Sequence, residues 1–361
     1  GKDQVVTKKL TAIEPRGRKG RFGHLPEFWV HIEVKKLEPR NIGYISFNAF
    51  MQPMYVMKTF NEAMPAFMDA DGIIIDIRDN GGGSLQEADT LTGLFIKHGP
   101  VVQIKYANQK VDRLYDQDPR IFYSGPLAVV VNRLSASASE IFAGAIQDYG
   151  RGIIIGEDTF GKGTVQTLVG LDRGQLKMTS AKFYRISGAS TQHKGITPDI
   201  LYPSLYDKEK IGESSLEEAL AWDTIYEVPH QTYPELSQLI PKLKEQHIGR
   251  IKDNEDYAYL QAMIEYLGTL RDKTQISLNK HKREEEHKLA QKTRLDLENK
   301  RRKARDLPLV KDLDEMEEDK DKKEDKKAQD DPVLIESGNI LVDLMTISNM
   351  PENSSEMVRT N

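Results

Sequence analysis

The sequence predicts a mixed α/β domain followed by a charge-rich α-helical region. Three observations predict it. Between residues 42 and 199, short β-branched runs alternate with helix-period segments and glycine-bearing turns. From Lys208 onward the strand signals cease, and helical periodicity with dense Lys, Arg and Glu takes over. The length, 361 residues, leaves room for two domains. The expected division is residues 1–38, residues 39–207 and residues 208–361, with a flexible mixed-charge stretch at 312–331.

Composition narrows the function classes. The 51 basic and 56 acidic residues nearly balance at a net charge of −5, so no general nucleic-acid affinity is implied. The chain has no cysteine, which excludes disulfides, thiol chemistry and cysteine-based zinc sites. Its longest apolar runs are far too short to span a membrane, and no charged-then-apolar leader stands at Gly1. None of the eight histidines falls at a metal-ligand spacing, so neither a metal nor a cofactor is expected.

Taken in order, Val5-Val6 and Trp29 through Val34 read as strands flanking a basic loop, residues 16–21. Ile42 begins a strand, and residues 55–68 an amphipathic helix through Met57, Phe60, Met64 and Phe67. A buried strand at 72–78 then runs into Asp79-Asn80-Gly81-Gly82-Gly83-Ser84 and a helix over 85–98. Three glycines between a strand and a helix either let backbone amides face a ligand or simply make a sharp turn. Asp76 and Arg78 are read as shaping that loop. Residues 101–106 and 121–123 are strand-like, with a polar turn between them.

Residues 126–170 organise the rest, as strand, turn, helix, strand, turn, strand. The helix carries Ile141, Phe142, Ala145 and Ile146 and ends at Gly150. Two features carry chemistry. Ser135, Ser137 and Ser139 cluster where that helix begins, and spacing alone does not separate them. Ser137 is favoured because it lies at the strand-to-helix turn, where amides and the positive helix dipole can meet a developing oxyanion. Lys162 lies between Gly161 and Gly163, which leave room for close approach, and a buried neutral lysine can take a serine's proton. Gln166, at even spacing from Lys162, is expected on the same strand face, able to orient the amine. A structural reading competes: Ser137-Ala-Ser-Glu140 is also a capping box. Gly156 through Lys162 matches most of a phosphate-binding loop. That motif needs Ser or Thr after the lysine and then a helix, whereas Gly163 and a strand follow here.

The runs SASASEIFAGAIQDYGR and GEDTFGKGTVQ resemble the signature of the C-terminal processing, or tail-specific, serine proteases of peptidase family S41. The resemblance covers roughly residues 42–199. It implies a core of repeated ββα units, of the kind shared with Clp protease and crotonase, and a Ser-Lys dyad. It places the nucleophile on Ser137, the base on Lys162 and its support on Gln166. It also implies an oxyanion hole from the amides of Ala138 and Gly83, and a supporting role for Asp148. Lys194 to Asp199 resembles the family's closing element.

The family further implies protein substrates recognised near apolar C-terminal tails in the periplasm, and a tetratricopeptide-repeat adaptor lipoprotein as partner. A PDZ domain precedes the core in that family. The first 38 residues are too few for a whole one and read as its end or a following linker. A latent or non-catalytic binding fragment is the rival reading, and an acyl-CoA enzyme of crotonase type a third.

After Lys208, helices are expected from Ser214-Ser215 through Leu220, then over 234–247, 253–270 and 277–305, with a docking helix over 333–347. His281 and His287 read as solvated, and His193 as bordering the site.

Overall fold

A computed structural model describes residues 18–20, 28–30, 32–37, 40–51, 69–313 and 331–348, with individual residues between 58 and 67. Val5-Val6 and most of residues 312–331 lie outside the described residues.

The frame is a six-stranded sheet ordered β12-β9-β8-β5-β4-β3. Here β3 is Ile32–Leu37, β4 Ile42–Phe47, β5 Gly72–Asp76, β8 Leu127–Val131, β9 Ile153–Gly156 and β12 Ile200–Leu201. All neighbours run parallel except β3, which pairs antiparallel on β4 at the edge. Parallel strands covered on both faces read as near-continuous apolar runs. Ile73-Ile74-Ile75 and Leu127 through Val131 are such runs, buried throughout.

Alternation then sends successive side chains to opposite faces. Ile45, Ile73, Ile75, Val129 and Ile154 meet helices α1 (Leu85–Gly93) and α2 (Ala138–Tyr149), together with Phe60 and Phe67. Tyr44, Ile74, Val130 and Ile155 meet Leu236 and Leu243 of α3 (Glu235–Ile251) and Leu334, Leu341 and Leu344 of α6 (Pro332–Ile347). The first and last helices of the C-terminal region therefore complete the sheet's second face. Between them, α4 (Glu255–Arg271) and α5 (Lys280–Ala304) form a largely exposed pair.

A second, antiparallel sheet is ordered β10-β11-β6-β7, from β6 (Gly99–Tyr106), β7 (Val111–Asp116), β10 (Thr164–Gly170) and β11 (Gln175–Tyr184). Beyond residue 166 the β10–β11 hairpin stands largely clear of the core and exposes Val169, Leu171, Leu176 and Met178.

Several expectations are corrected. Arg18–Gly20 (β1) pairs antiparallel with Phe28–Val30 (β2), so part of the basic loop is a strand. The strand expected at 121–123 is irregular chain. The polar turn before it holds β7, whose half-exposed edge position tolerates the charges of Val-Asp-Arg-Leu-Tyr-Asp. Helix α1 stops at Gly93 instead of His98, because Leu94 and Phe95 turn back on Leu91 and Thr92. The helix expected through Leu220 is only a 3₁₀ turn, Glu213–Ser215. Residues 223–228 instead bond Gly188, Ser190 and Ile186 along the core, a tertiary pairing that overrides local periodicity.

Candidate active site

Strand β8 ends at Val131, and residues 132–137 carry the chain to α2. Of the three serines, two are locked. The Ser135 hydroxyl donates to the Ile77 carbonyl at 2.7 Å and the Ser139 hydroxyl to the Asn80 carbonyl at 2.8 Å, both fully buried. Ser137 is half-buried at the N-cap of α2 with φ 59° and ψ −112°. A non-glycine residue there is strained, and such strain survives only where its surroundings over-determine it. The geometry is that of a sharp strand-to-helix elbow, which pushes a side chain out of the surface.

The agent that holds the elbow is Glu140. Its carboxylate is fully buried and accepts four donors. Oε2 takes the amides of Ser137 (2.8 Å) and Lys162 (2.9 Å), and Oε1 takes the Gly161 amide (2.7 Å) and the Thr159 hydroxyl (2.6 Å). Complete burial pushes this carboxyl up to about 7, against the pull of those hydrogen bonds. The serine segment and the lysine segment thus share one carboxylate oxygen.

Lys162 is clamped from its other side by residues 191–193. Gln192 accepts the Gly163 amide at 2.9 Å and donates to Glu213 at 3.1 Å, and the His193 amide donates to the Gly161 carbonyl at 2.8 Å. Gly161 sits at φ +90°, where a Cβ would meet the His193 backbone at 2.8 Å. The Lys162 amine has no ion-pair partner among the described residues. Burial lowers its pKa, reinforced by Lys177 and opposed by Glu213 and Glu140.

The glycine loop abuts the elbow. Fully buried Asn80 donates to the Phe47 carbonyl (2.8 Å), accepts the Gly82 amide (2.9 Å), and accepts the Ala136 amide (3.0 Å) on its own carbonyl. Gly82, at φ +91°, lies so close that a Cβ would stand 2.8 Å from Ser137 Cβ and 2.9 Å from the Ala138 nitrogen. The Phe50 backbone bonds Gly82 and Ser84 on either side of Gly83, where any Cβ would collide with the Phe50 carbonyl. Among the described residues, the amides of Gly83 and Ala138 donate to nothing within the protein. Unspent backbone donors of this kind can receive a negatively charged oxygen.

Two sequence-derived residues are placed differently from expectation. Strand β10 begins only at Thr164, and a bulge between Val165 and Gln166 breaks the alternation that set Gln166 on the Lys162 face. Gln166 is exposed and makes no side-chain hydrogen bond among the described residues. Asp148 occupies the last turn of α2, about 16 Å along the axis from Ser137. It pairs there with Arg185 (2.5 Å) and accepts from Ser187 (3.2 Å), away from the dyad.

Glu140, Asn80, Gln192 and Glu213 were not assigned from the sequence as site residues. Only the capping-box spacing of Glu140 gave a signal. His193 does border the site, through its backbone, and no metal-binding group of three or more residues occurs among the described residues.

Two family models match the chain. Residues 41–202 match peptidase family S41, and residues 206–346 match the C-terminal domain of tail specific protease. The tail-specific protease of Haemophilus influenzae is 38% identical over 347 residues, covering 88% of this chain and 49% of that protein. The carboxy-terminal-processing protease of Bartonella bacilliformis is 37% identical over 202 residues, covering 51% of this chain and 46% of its own length. A solved photosystem II D1 C-terminal processing protease is 30% identical and aligns over 52% of this chain and 51% of that chain, at a TM-score of 0.42. The chain spans about half the length of the curated relatives it matches.

Proposed function

Because residues 41–202 belong to peptidase family S41 and residues 206–346 to the C-terminal domain of tail-specific proteases, we propose that the chain is a serine endopeptidase working through a Ser137–Lys162 dyad. One observation carries this reading: the amides of Ser137 and Lys162 are both held on Glu140 Oε2, and burial lowers the pKa of the Lys162 amine.

In the proposed reaction Ser137 Oγ attacks a substrate carbonyl while neutral Lys162 takes the hydroxyl proton. The Gly83 and Ala138 amides receive the oxyanion, a term worth roughly 10²–10³ in rate per donor. Lys162 then protonates the leaving amine, and water, deprotonated by Lys162, releases the acyl group from Ser137. Gln166 is proposed to orient the Lys162 amine once an extended substrate lies along β10, a free edge strand that starts beside the lysine. Asp148 is proposed to act only by fixing the far end of α2 on Arg185.

Protein substrates with apolar C-terminal tails suit the exposed apolar side chains of the β10–β11 hairpin. The family resemblance adds a periplasmic setting and a tetratricopeptide-repeat adaptor. No described helix is long and apolar enough to cross a membrane.

The test is degradation of an unfolded reporter with an apolar C-terminal tail. Cleavage by the parent chain and its loss in both Ser137→Ala and Lys162→Ala is expected; undiminished cleavage by either variant overturns the dyad. A second reading is favoured by the unbonded Gln166: the chain is latent until a bound segment along β10 turns Gln166 toward Lys162. Labelling of Ser137 by a serine-directed probe without reporter cleavage identifies that state.

A further inference from the structure

Helix α1 begins directly behind the glycine loop, and its opposite end carries an unusual contact. Asp89 and Gly93 lie one turn apart on a single helix face. Asp116, the last residue of β7, packs into the notch at Gly93. A Cβ there would stand 2.7 Å from both Asp116 Cγ and Oδ1. Helical side chains lean toward the N-terminus, so this notch opens onto Asp89.

The α1–β7 contact thus brings two carboxyl groups into one neighbourhood, and the Asp116 charge acts on Asp89. Asp89 is 6% exposed. Its Oδ2 accepts from Gln86 Nε2 at 3.3 Å, while its Oδ1 is buried with no partner among the described residues. Asp116 Oδ1 accepts the Asp118 amide at 3.1 Å, and its Oδ2 is likewise buried without a partner. Each group thus leaves one oxygen orphaned at the same contact. Two unpaired carboxylates so placed would repel with no cation between them, whereas one proton would satisfy both oxygens.

We propose that Asp89 and Asp116 share a single proton, Asp89 Oδ1–H donating to Asp116 Oδ2, and that this bond clips α1 to β7 and steadies the glycine loop ahead of it.

The surroundings fix which partner holds the proton. Asp89 is the more deeply buried, and burial followed by the Asp116 charge pushes it up to about 6. Burial raises Asp116 as well, but it is less deeply buried, and its amide donor from Asp118 and the nearby His98 pull the other way. The other groups around the pair are Asp118, Tyr115, and Tyr149, whose hydroxyl is spent on the Pro100 carbonyl. None supplies a cation to Asp89. The sign follows. A carboxyl whose folded pKa lies above its unfolded value stabilises at acid pH, and that contribution is lost as pH rises through about 6.

The test is the thermal midpoint of the intact chain between pH 5 and pH 8, for the parent and for Asp89→Asn. The asparagine Nδ2–H supplies the same donor at every pH, and its oxygen still accepts from Gln86. The parent midpoint is expected to fall across this range, while Asp89→Asn stays flatter and exceeds the parent at pH 8. Equal slopes in the two proteins overturn the proposal. Should Asp89→Asn fold poorly, the carboxyl carbon resonance of Asp89, titrated in the parent, decides: a midpoint near 6 supports the shared proton and one below 4 ends it. Neither readout depends on peptidase activity.

Discussion

At the scale of single residues, the site depends on a carboxylate that performs no step of the proposed chemistry. Glu140 has two oxygens and four donors, so Glu140→Gln turns an NH₂ group against two buried donors. The expected cost is about 2–4 kcal/mol in chemical unfolding, with reporter cleavage down on the order of 10²-fold as the two segments drift apart. An unchanged unfolding midpoint would mean that the four contacts are not all made.

In the proposed reaction Lys162 sets the pH dependence. Its folded pKa is lowered by burial first and Lys177 second, so the neutral base appears at lower pH than for an ordinary lysine. Cleavage should therefore climb as pH rises through that lowered value and fade below it. A rate that is flat from alkaline to clearly acidic pH argues against lysine as the base. Sequence made Ser137 and Lys162 legible through the elbow position and the flanking glycines. The capping box read at Ser137-Ala-Ser-Glu140 is formed, and its glutamate also joins the serine segment to the lysine segment. Glu140 bonds the Ser137 amide and, from the same oxygen, the Lys162 amide. No local pattern could reveal that second bond, because it crosses 22 residues of sequence.

At the scale of elements, the glycine loop is legible as a turn but not as a fitted surface. Gly82 is required less for its own dihedral than for what lies beside it. A methyl there would press on Ser137 and on the Ala138 amide. Gly82→Ala should abolish cleavage and serine-probe labelling together while leaving the far-ultraviolet circular dichroism intact; retained labelling would show that the elbow tolerates the methyl. Strand β10 shows the limit of periodicity. An even spacing from Lys162 to Gln166 implies a shared face only if one strand carries both, and the late start and the bulge remove that premise. The missed strand β7 and the absent helix after Ser215 have the same origin, since tertiary pairing at an edge outweighs local composition.

At the scale of the whole molecule, the change in composition near Lys208 suggested two separate domains, yet the second face of the parallel sheet belongs to α3 and α6. Leu341, fully buried, packs so tightly that a Cβ on Gly72 would lie 2.7 Å from its Cδ2. Arg78 ties Asp76 at the end of β5 to Asp331 at the N-cap of α6, at 2.6 Å on each side. Glu336 of α6 takes His247 and Arg250 of α3, each at 2.8 Å. Leu341→Ala should cost about 2–5 kcal/mol in urea unfolding, and the loss should appear in the core transition. A separate early transition with an unshifted core would show that α6 is only an appendage. Long-range partners such as Asp331 are invisible to a window of sequence.

The same arrangement sets a clock. Strands β5 and β8 precede α6 in the chain, and until residues 332–347 follow them, Ile74, Val130 and Ile155 lie uncovered by that helix. Strands β5 and β8 lead straight into the glycine loop and the serine elbow, so the proposed site is framed by a sheet that is covered on both faces only when that later helix arrives. The proposed dyad is thereby tied to a helix that leaves the ribosome well after the strands that carry it.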